Sequence, residues 1–184
     1  MMLPHRPFHF LRHGETDYNL AGRMMGVLDI PLNATGRSQA EKARAAVHAV
    51  GFKAIAASPL ARAWETASIV NDSLRLPLTS VDDLKEVDVG SFEGASDPSF
   101  MRRWHAGEKL ERVETFPDFS ARIGRGLIRA LTLDHPVLVV AHGGVFRAIE
   151  KLVGFAGTTD VPNCCLARFE PPATTNGGWR IVIV

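Results

Sequence analysis

The sequence predicts an α/β protein, a three-layer α/β/α sandwich around a mostly parallel central sheet. Three observations point there. Phe8 to Leu11 is a short apolar run that stops at Arg12-His13-Gly14. Val137 to Ala141 is a second, continuous apolar run that stops at His142-Gly143-Gly144 and passes into a helical pattern. Around them, short apolar runs alternate with amphipathic stretches. Continuous apolar strands are those covered by helices on both faces. A Gly closing such a run marks a tight turn. Both histidines then stand at the C-terminal ends of strands, where open α/β sheets bind ligands.

A length of 184 residues fits one domain, spanning 1–184, with a core large enough to need no staples. Apolar residues make up 46% and charged residues 22%, which is ordinary for a globular protein. The formal net charge is +1, so no nucleic-acid partner is expected. A small anionic substrate needs only a local cationic cluster. The two cysteines, Cys164 and Cys165, are neighbours in sequence, a spacing that strains a bridge. Neither a disulfide framework nor a cysteine zinc site is expected, and the compartment reads as reducing and cytoplasmic. No apolar stretch approaches the roughly 18 residues of a membrane span. Pro4 and Pro7 interrupt the N-terminus, leaving no secretory h-region. Oligomeric state leaves no readable signal.

Each element follows in order. Residues 15–20 read as a loop or short helical turn, and 21–31 as a Gly- and Met-containing loop. A helix is predicted from about Arg37 to Val50, with Asn33 as N-cap and Ala40, Ala43, Val47 and Val50 on one face. Phe52 to Ala57 reads as a buried strand. Ser58-Pro59 predicts a helix start, Ser as N-cap and Pro at the first position, with the helix running from Leu60 to Ser73. Pro77 to Val81 reads as a short strand. The segment 95–117 is charged and mixes Gly, Pro and Trp, and reads as a helical insertion or lid. A helix from Phe119 to Leu131 follows, then the second His-Gly strand and a helix to about Leu152. Residues 163–169 read as a strand, 176–178 as a turn, and 179–184 as a strand returning in a hairpin.

Four segments, taken together, resemble the histidine phosphatase superfamily, the phosphoglycerate-mutase-like group. They are Arg12-His13-Gly14-Glu15-Thr16 with Asn19; Ser58-Pro59-Leu60-Ala61-Arg62 with Thr66-Ala67; Leu84-Lys85-Glu86 with Gly90 and Glu93-Gly94; and His142-Gly143. Pro31-Leu32-Asn33 and Gln39-Ala40 match a further family segment, with Asn33 in place of Thr. Val113 replaces the Gly that relatives often carry before the long helix. The resemblance implies phosphoryl transfer through a phosphohistidine. It also implies that Glu86 holds the general-acid position, that Asn19 is a neutral donor to phosphate, and that Glu93 is structural.

The residues support that chemistry on physical grounds. His13 alone would read as a buried, hydrogen-bonded strand-end histidine. Flanked by Arg and Gly, and paired with a second strand-His-Gly unit, it reads as a nucleophile, since functional sites cluster such groups. A nucleophilic imidazole must be neutral, with the second ring nitrogen donating to a fixed acceptor. Gly14 is expected to let phosphate approach. Arg12 and Arg62 are planar cationic forks suited to phosphate oxygens. The ordinary fate of each is a surface ion pair, but a cation in the first turn of a helix opposes the macrodipole, which favours an anionic ligand beside Arg62. His142, cationic or neutral, is a further donor, and the Gly143 and Gly144 amides offer an anion nest. An alkoxide leaving group needs a proton, which Glu86 can deliver. Glu15 is a rival carboxylate, read as structural or as balancing arginine charge.

Two histidines and a carboxylate also suggest zinc, but two arginines would repel a dication and no H-x-E or HExxH spacing is present. No metal and no cofactor are expected. No G-x-G-x-x-G follows either strand, so a dinucleotide fold is set aside. The reading is a metal-independent phosphomonoesterase acting on a small-molecule phosphate ester. Its alternatives are phosphoglycerate mutase-type transfer and a non-catalytic phosphate-binding module.

Overall fold

The computed structural model describes residues 3–174 and 177–184. Six strands form one sheet in the order β3-β2-β4-β1-β5-β6. They are β1 (Phe8–Arg12), β2 (Ala54–Ala57), β3 (Leu78–Ser80), β4 (Val137–Ala141), β5 (Leu166–Glu170) and β6 (Arg180–Ile183). The helices are α1 (Asp17–Leu20), α2 (Ala34–Val50), α3 (Ala61–Asn71), α4 (Phe100–His105), α5 (Phe116–Ala130) and α6 (Gly143–Leu152). β3, β2, β4 and β1 run parallel, and β5 and β6 join antiparallel. The mostly parallel three-layer architecture is the one the sequence predicts. Among the described residues, no helix is long and apolar enough to cross a membrane.

The two-residue strand period sorts the side chains. Leu11, Ile55, Leu138 and Val140 face α2 and α3, where they meet Val47, Ala67 and Val70. Phe8, Phe10, Val139 and Phe169 face α5 and α6, where they meet Ile123, Leu127, Phe146 and Ile149. Chain leaving β1 therefore turns to one face and chain leaving β4 to the other. The two strands lie side by side, so their ends diverge into a crevice, the topological switch point of an open sheet. The His13 N–H donates to the Ala141 carbonyl at 2.9 Å and locks the two ends together.

Several boundaries differ from the sequence reading. α2 begins at Ala34, and Asn33 caps it as expected, its side chain accepting from the Gly36 N–H. α3 begins at Ala61, and Ser58 does not cap it. Asp29 does so from the 21–31 loop, accepting from the Ala61 N–H at 2.6 Å. α5 begins at Phe116, with Thr115 as N-cap. β5 begins only at Leu166, because Cys164 turns the chain with φ +55° and gives its N–H to the Arg12 and His13 carbonyls. Within 95–117 only α4 and the first two residues of α5 are helical. The hairpin forms, but the turn read at 176–178 lies partly outside the described residues.

Candidate active site

His13 follows β1 directly and is 2% exposed. Its Nδ1 lies 2.7 Å from the Gly14 carbonyl, an acceptor only. Nδ1 therefore carries the hydrogen, and Nε2 keeps its lone pair. Burial pushes the His13 pKa well below its usual value, helped by Arg62 and Arg12 and opposed by the Gly14 bond. The ring is neutral at physiological pH.

His142 follows β4 and is fully buried, its ring centroid 5.2 Å from that of His13. Its Nε2 sits 2.8 Å from the Ser58 hydroxyl. That hydroxyl already accepts the Leu60 N–H at 3.3 Å, so its own hydrogen is free to go to Nε2. With the hydroxyl donating, the hydrogen of His142 stands on Nδ1, a buried atom with no partner. Burial, with Arg62 and His13 adding to it, also holds His142 well below the usual histidine range.

The two arginines are steered by backbone carbonyls rather than carboxylates. Arg12 gives Nη1 to the Val161 carbonyl at 2.7 Å. Arg62, fully buried, gives Nη1 to Leu28 and Nη2 to Gly26 at 2.7 and 2.8 Å. The Nε of each is buried and unpartnered. Burial lowers the pKa of both, and the nearby Glu86 carboxylate partly offsets this. Both remain cations, because the normal arginine value is so high.

Glu86 accepts the Val87 N–H on Oε1 at 3.0 Å and the Gly144 N–H on Oε2 at 2.9 Å. A Cβ at Gly144 would run into this carboxylate. The sequence offers Gly143 and Gly144 as a nest, but the Gly144 amide is given to Glu86. Gly143 lies against the Arg12 guanidinium. Arg122 holds the Glu86 carbonyl at 3.3 Å while pairing with Glu114 at 2.6 Å.

These groups border a cavity of about 200 Å³ lined by Arg12, His13, Arg62, Glu86, Gly143 and Gly144. His142 lies behind the lining, next to His13. Asn19 is not among the lining residues either. Its side-chain oxygen closes a capping box, accepting the Thr16 N–H at 3.1 Å. Glu15 bonds Asn33 at 2.9 Å, a structural contact. Gly14 also carries a packing constraint. A Cβ there would strike the Gly36 carbonyl, so glycine is needed for backbone packing. Among the described residues no cluster of three or more His, Cys, Asp or Glu is placed to hold a metal ion.

Sequence reasoning gave four supporting residues no part in the site. Ser58 holds His142. Thr66 accepts the Gly14 N–H at 3.0 Å and donates to the Arg62 carbonyl at 2.7 Å, tying both motifs together. Asn163 donates to the His13 carbonyl at 2.9 Å. Arg122 holds the Glu86 segment. Ser58 and Thr66 lie inside the family-like segment around Arg62, which was the available signal. Arg122 and Asn163 carry none.

A sequence model of the histidine phosphatase superfamily (branch 1) matches residues 8–183. The chain belongs to this superfamily. It is 36% identical over 177 residues to the uncharacterized phosphatase PhoE of Bacillus subtilis (strain 168), covering 93% of this chain and 90% of the relative. It is 36% identical over 193 residues to the probable phosphoglycerate mutase GpmB of Proteus mirabilis (strain HI4320), covering 94% and 89%. Among solved structures, the mycobacterial glucosyl-3-phosphoglycerate phosphatase with VO3 superposes with a TM-score of 0.79 at 27% identity, covering 97% of this chain and 98% of that one. The protein is thus a phosphatase of the histidine phosphatase superfamily.

Proposed function

We propose that this phosphatase hydrolyses a small phosphate monoester through a phosphohistidine on His13, without a metal. The observation that carries the reading is a set of three buried nitrogens with no partner, Arg12 Nε, Arg62 Nε and His142 Nδ1, the last a donor when Ser58 donates to Nε2. A buried donor left unsatisfied costs about 1–3 kcal/mol, so three in one place beside a neutral histidine call for an acceptor. A phosphoryl group has three equatorial oxygens with spread negative charge, and fixed donors stabilise its transfer.

In this reading the phosphate sits between the two guanidiniums. His13 Nε2 attacks phosphorus and the ester P–O bond breaks. Glu86 delivers a proton to the departing alkoxide. Water then attacks the phosphohistidine, Glu86 takes the water proton, and inorganic phosphate leaves. His142 Nδ1–H and the arginines bind the equatorial oxygens throughout. The segment 95–117, with α4, covers one side of the cavity as a lid, and one domain carries the whole site.

Two of the superfamily's other behaviours share this cradle: mutase transfer, suggested by the GpmB relative, and phosphate binding without turnover. The test is turnover of p-nitrophenyl phosphate and a panel of phosphate esters in EDTA, for wild type and His13→Ala. Turnover that survives EDTA and is lost in the variant supports the reading. An alkali-stable, acid-labile phosphoenzyme trapped with labelled substrate would identify the intermediate. Unchanged activity in His13→Ala overturns the nucleophile, and turnover only between phosphoglycerate isomers favours the mutase.

A further inference from the structure

Beyond the phosphate cradle, the cavity is walled by Met24, Met25, Val87, Val89, Phe100 and Met101. Among the lining residues, Arg23 carries the only charge outside the cradle. It stands exposed at the rim, its Nε given to the Gly94 carbonyl at 2.6 Å and its guanidinium 4.5 Å over the Tyr18 ring.

This wall is built rigidly. The Met24 N–H donates to Ala95 at 2.9 Å and the Met24 carbonyl accepts from Gly94 at 2.8 Å. Arg62 ties the same loop to the cradle through Gly26 and Leu28. Val87 and Val89 are buried, and a Cβ at Gly26 would strike the Val89 side chain, so the two loops interlock. On the third side α4 is anchored by Phe100 and Trp104, 1% and 2% exposed, with Trp104 Nε1 donating to the Glu114 carbonyl at 2.7 Å. Met101, next along the helix, is 42% exposed while still lining the cavity. Only the side chain at the mouth is therefore free to adapt, as methionine does.

We infer that the leaving group accepted here is compact and apolar, an alkyl or aryl group rather than a polyhydroxylated one, with Met101 setting that preference. The inference rests on the phosphate occupying the Arg12–Arg62 cradle as proposed above. With phosphate there, the leaving group meets a wall whose six side chains offer no strong hydrogen-bond partner. A hydroxyl pressed onto such a wall loses its water without replacement. A methyl in the same place gains the burial free energy of apolar surface.

An isosteric pair of non-hydrolysable ligands isolates the wall from the chemistry. Binding of 3-methylpentylphosphonate and of 3,4-dihydroxybutylphosphonate to the full chain is measured by calorimetry; the pair differs only by two methyl-for-hydroxyl exchanges, worth about ten- to hundredfold on an apolar wall. The expected result is at least tenfold tighter binding of the alkyl ligand, narrowing severalfold in Met101→Gln, a change of equal length at an exposed helical position. Equal affinities, tighter binding of the diol, or no binding of either overturns the inference. A ratio unchanged in Met101→Gln removes Met101 from it. Because this readout needs no turnover, it stays separate from the His13→Ala assay: an apolar preference without His13-dependent hydrolysis would sink the reaction and keep the wall.

Discussion

Ser58→Ala tests how His142 is held. Ser58 is fully buried, and its hydroxyl bonds His142 Nε2 at 2.8 Å and accepts the Leu60 N–H at 3.3 Å. Removing the oxygen strands a buried imidazole nitrogen, at a cost of about 2 kcal/mol. That is a fall of about 4–8 °C in Tm for a chain of this size. The kinetic effect is separate. Without the hydroxyl nothing fixes the hydrogen on Nδ1, so one donor of the proposed phosphate cradle is weakened rather than deleted. Deleting an oxyanion donor costs about a hundred- to a thousandfold, and losing a supporting partner about ten- to a hundredfold. The expectation for Ser58→Ala is the smaller range in kcat/KM on p-nitrophenyl phosphate, with Ser58→Thr recovering most of it. Long-range proton–nitrogen NMR of the resting wild type should show Nδ1 protonated and Nε2 bare at neutral pH. A hydrogen on Nε2, or wild-type kcat/KM in Ser58→Ala, would refute the argument.

Gly14→Ala should lower stability by about 2 kcal/mol or more, because the new methyl meets the Gly36 backbone, which cannot swing aside like a side chain; an unchanged urea midpoint would count against that packing. Gly144→Ala displaces the Glu86 carboxylate, so kcat should fall about tenfold or more for alkyl phosphates and less for p-nitrophenyl phosphate, whose leaving group needs little protonation; equal losses on both would remove Glu86 as the proton donor. Acid should unfold the protein through its neutral histidines. His9, His13 and His142 all have pKa values lowered by burial, so below the unfolded value the unfolded chain binds more protons and stability falls. Stability is full above about pH 6.5. For His9, held at about 4, the loss between those values is about 3 kcal/mol, and His9→Gln should flatten the pH dependence of the urea midpoint; an unaltered slope would contradict it.

The sheet was legible because its signal is local. Val137–Ala141 is apolar without interruption, which only strands covered on both faces require, Phe8–Leu11 departs from that only at His9, and the His-Gly breaks mark their C-terminal ends. Asn33 was legible as a cap for the same reason, since the capping bond spans three residues. Ser58 shows where local reasoning stops. Ser-Pro before a helix has the form of a cap, yet the hydroxyl is taken by His142, 84 residues away, and Asp29 caps the helix from another loop. Gly14 reads as a close approach for phosphate, and nothing local signals the further constraint that Gly36 sets from across the fold. Short Ser, Asp and Gly residues fit several local roles equally well. Tertiary contacts select among them, and a single sequence does not display those contacts.

The same non-local contacts explain how the site keeps its donors free. Arg12 hands Nη1 to the Val161 carbonyl, and Arg62 hands both terminal nitrogens to the Leu28 and Gly26 carbonyls. A carboxylate in those places would hold the guanidiniums equally well but would also neutralise them. A carbonyl fixes the geometry and leaves the charge, so Nε stays available for an anion. His142 follows the same logic, oriented by a hydroxyl that adds no charge. The one carboxylate in the cavity, Glu86, is kept by the Val87 and Gly144 amides rather than by either arginine. Neutral supports around charged donors make the cavity cationic before any ligand arrives, so in the proposed reaction stabilisation of the transferring phosphoryl group needs no rearrangement.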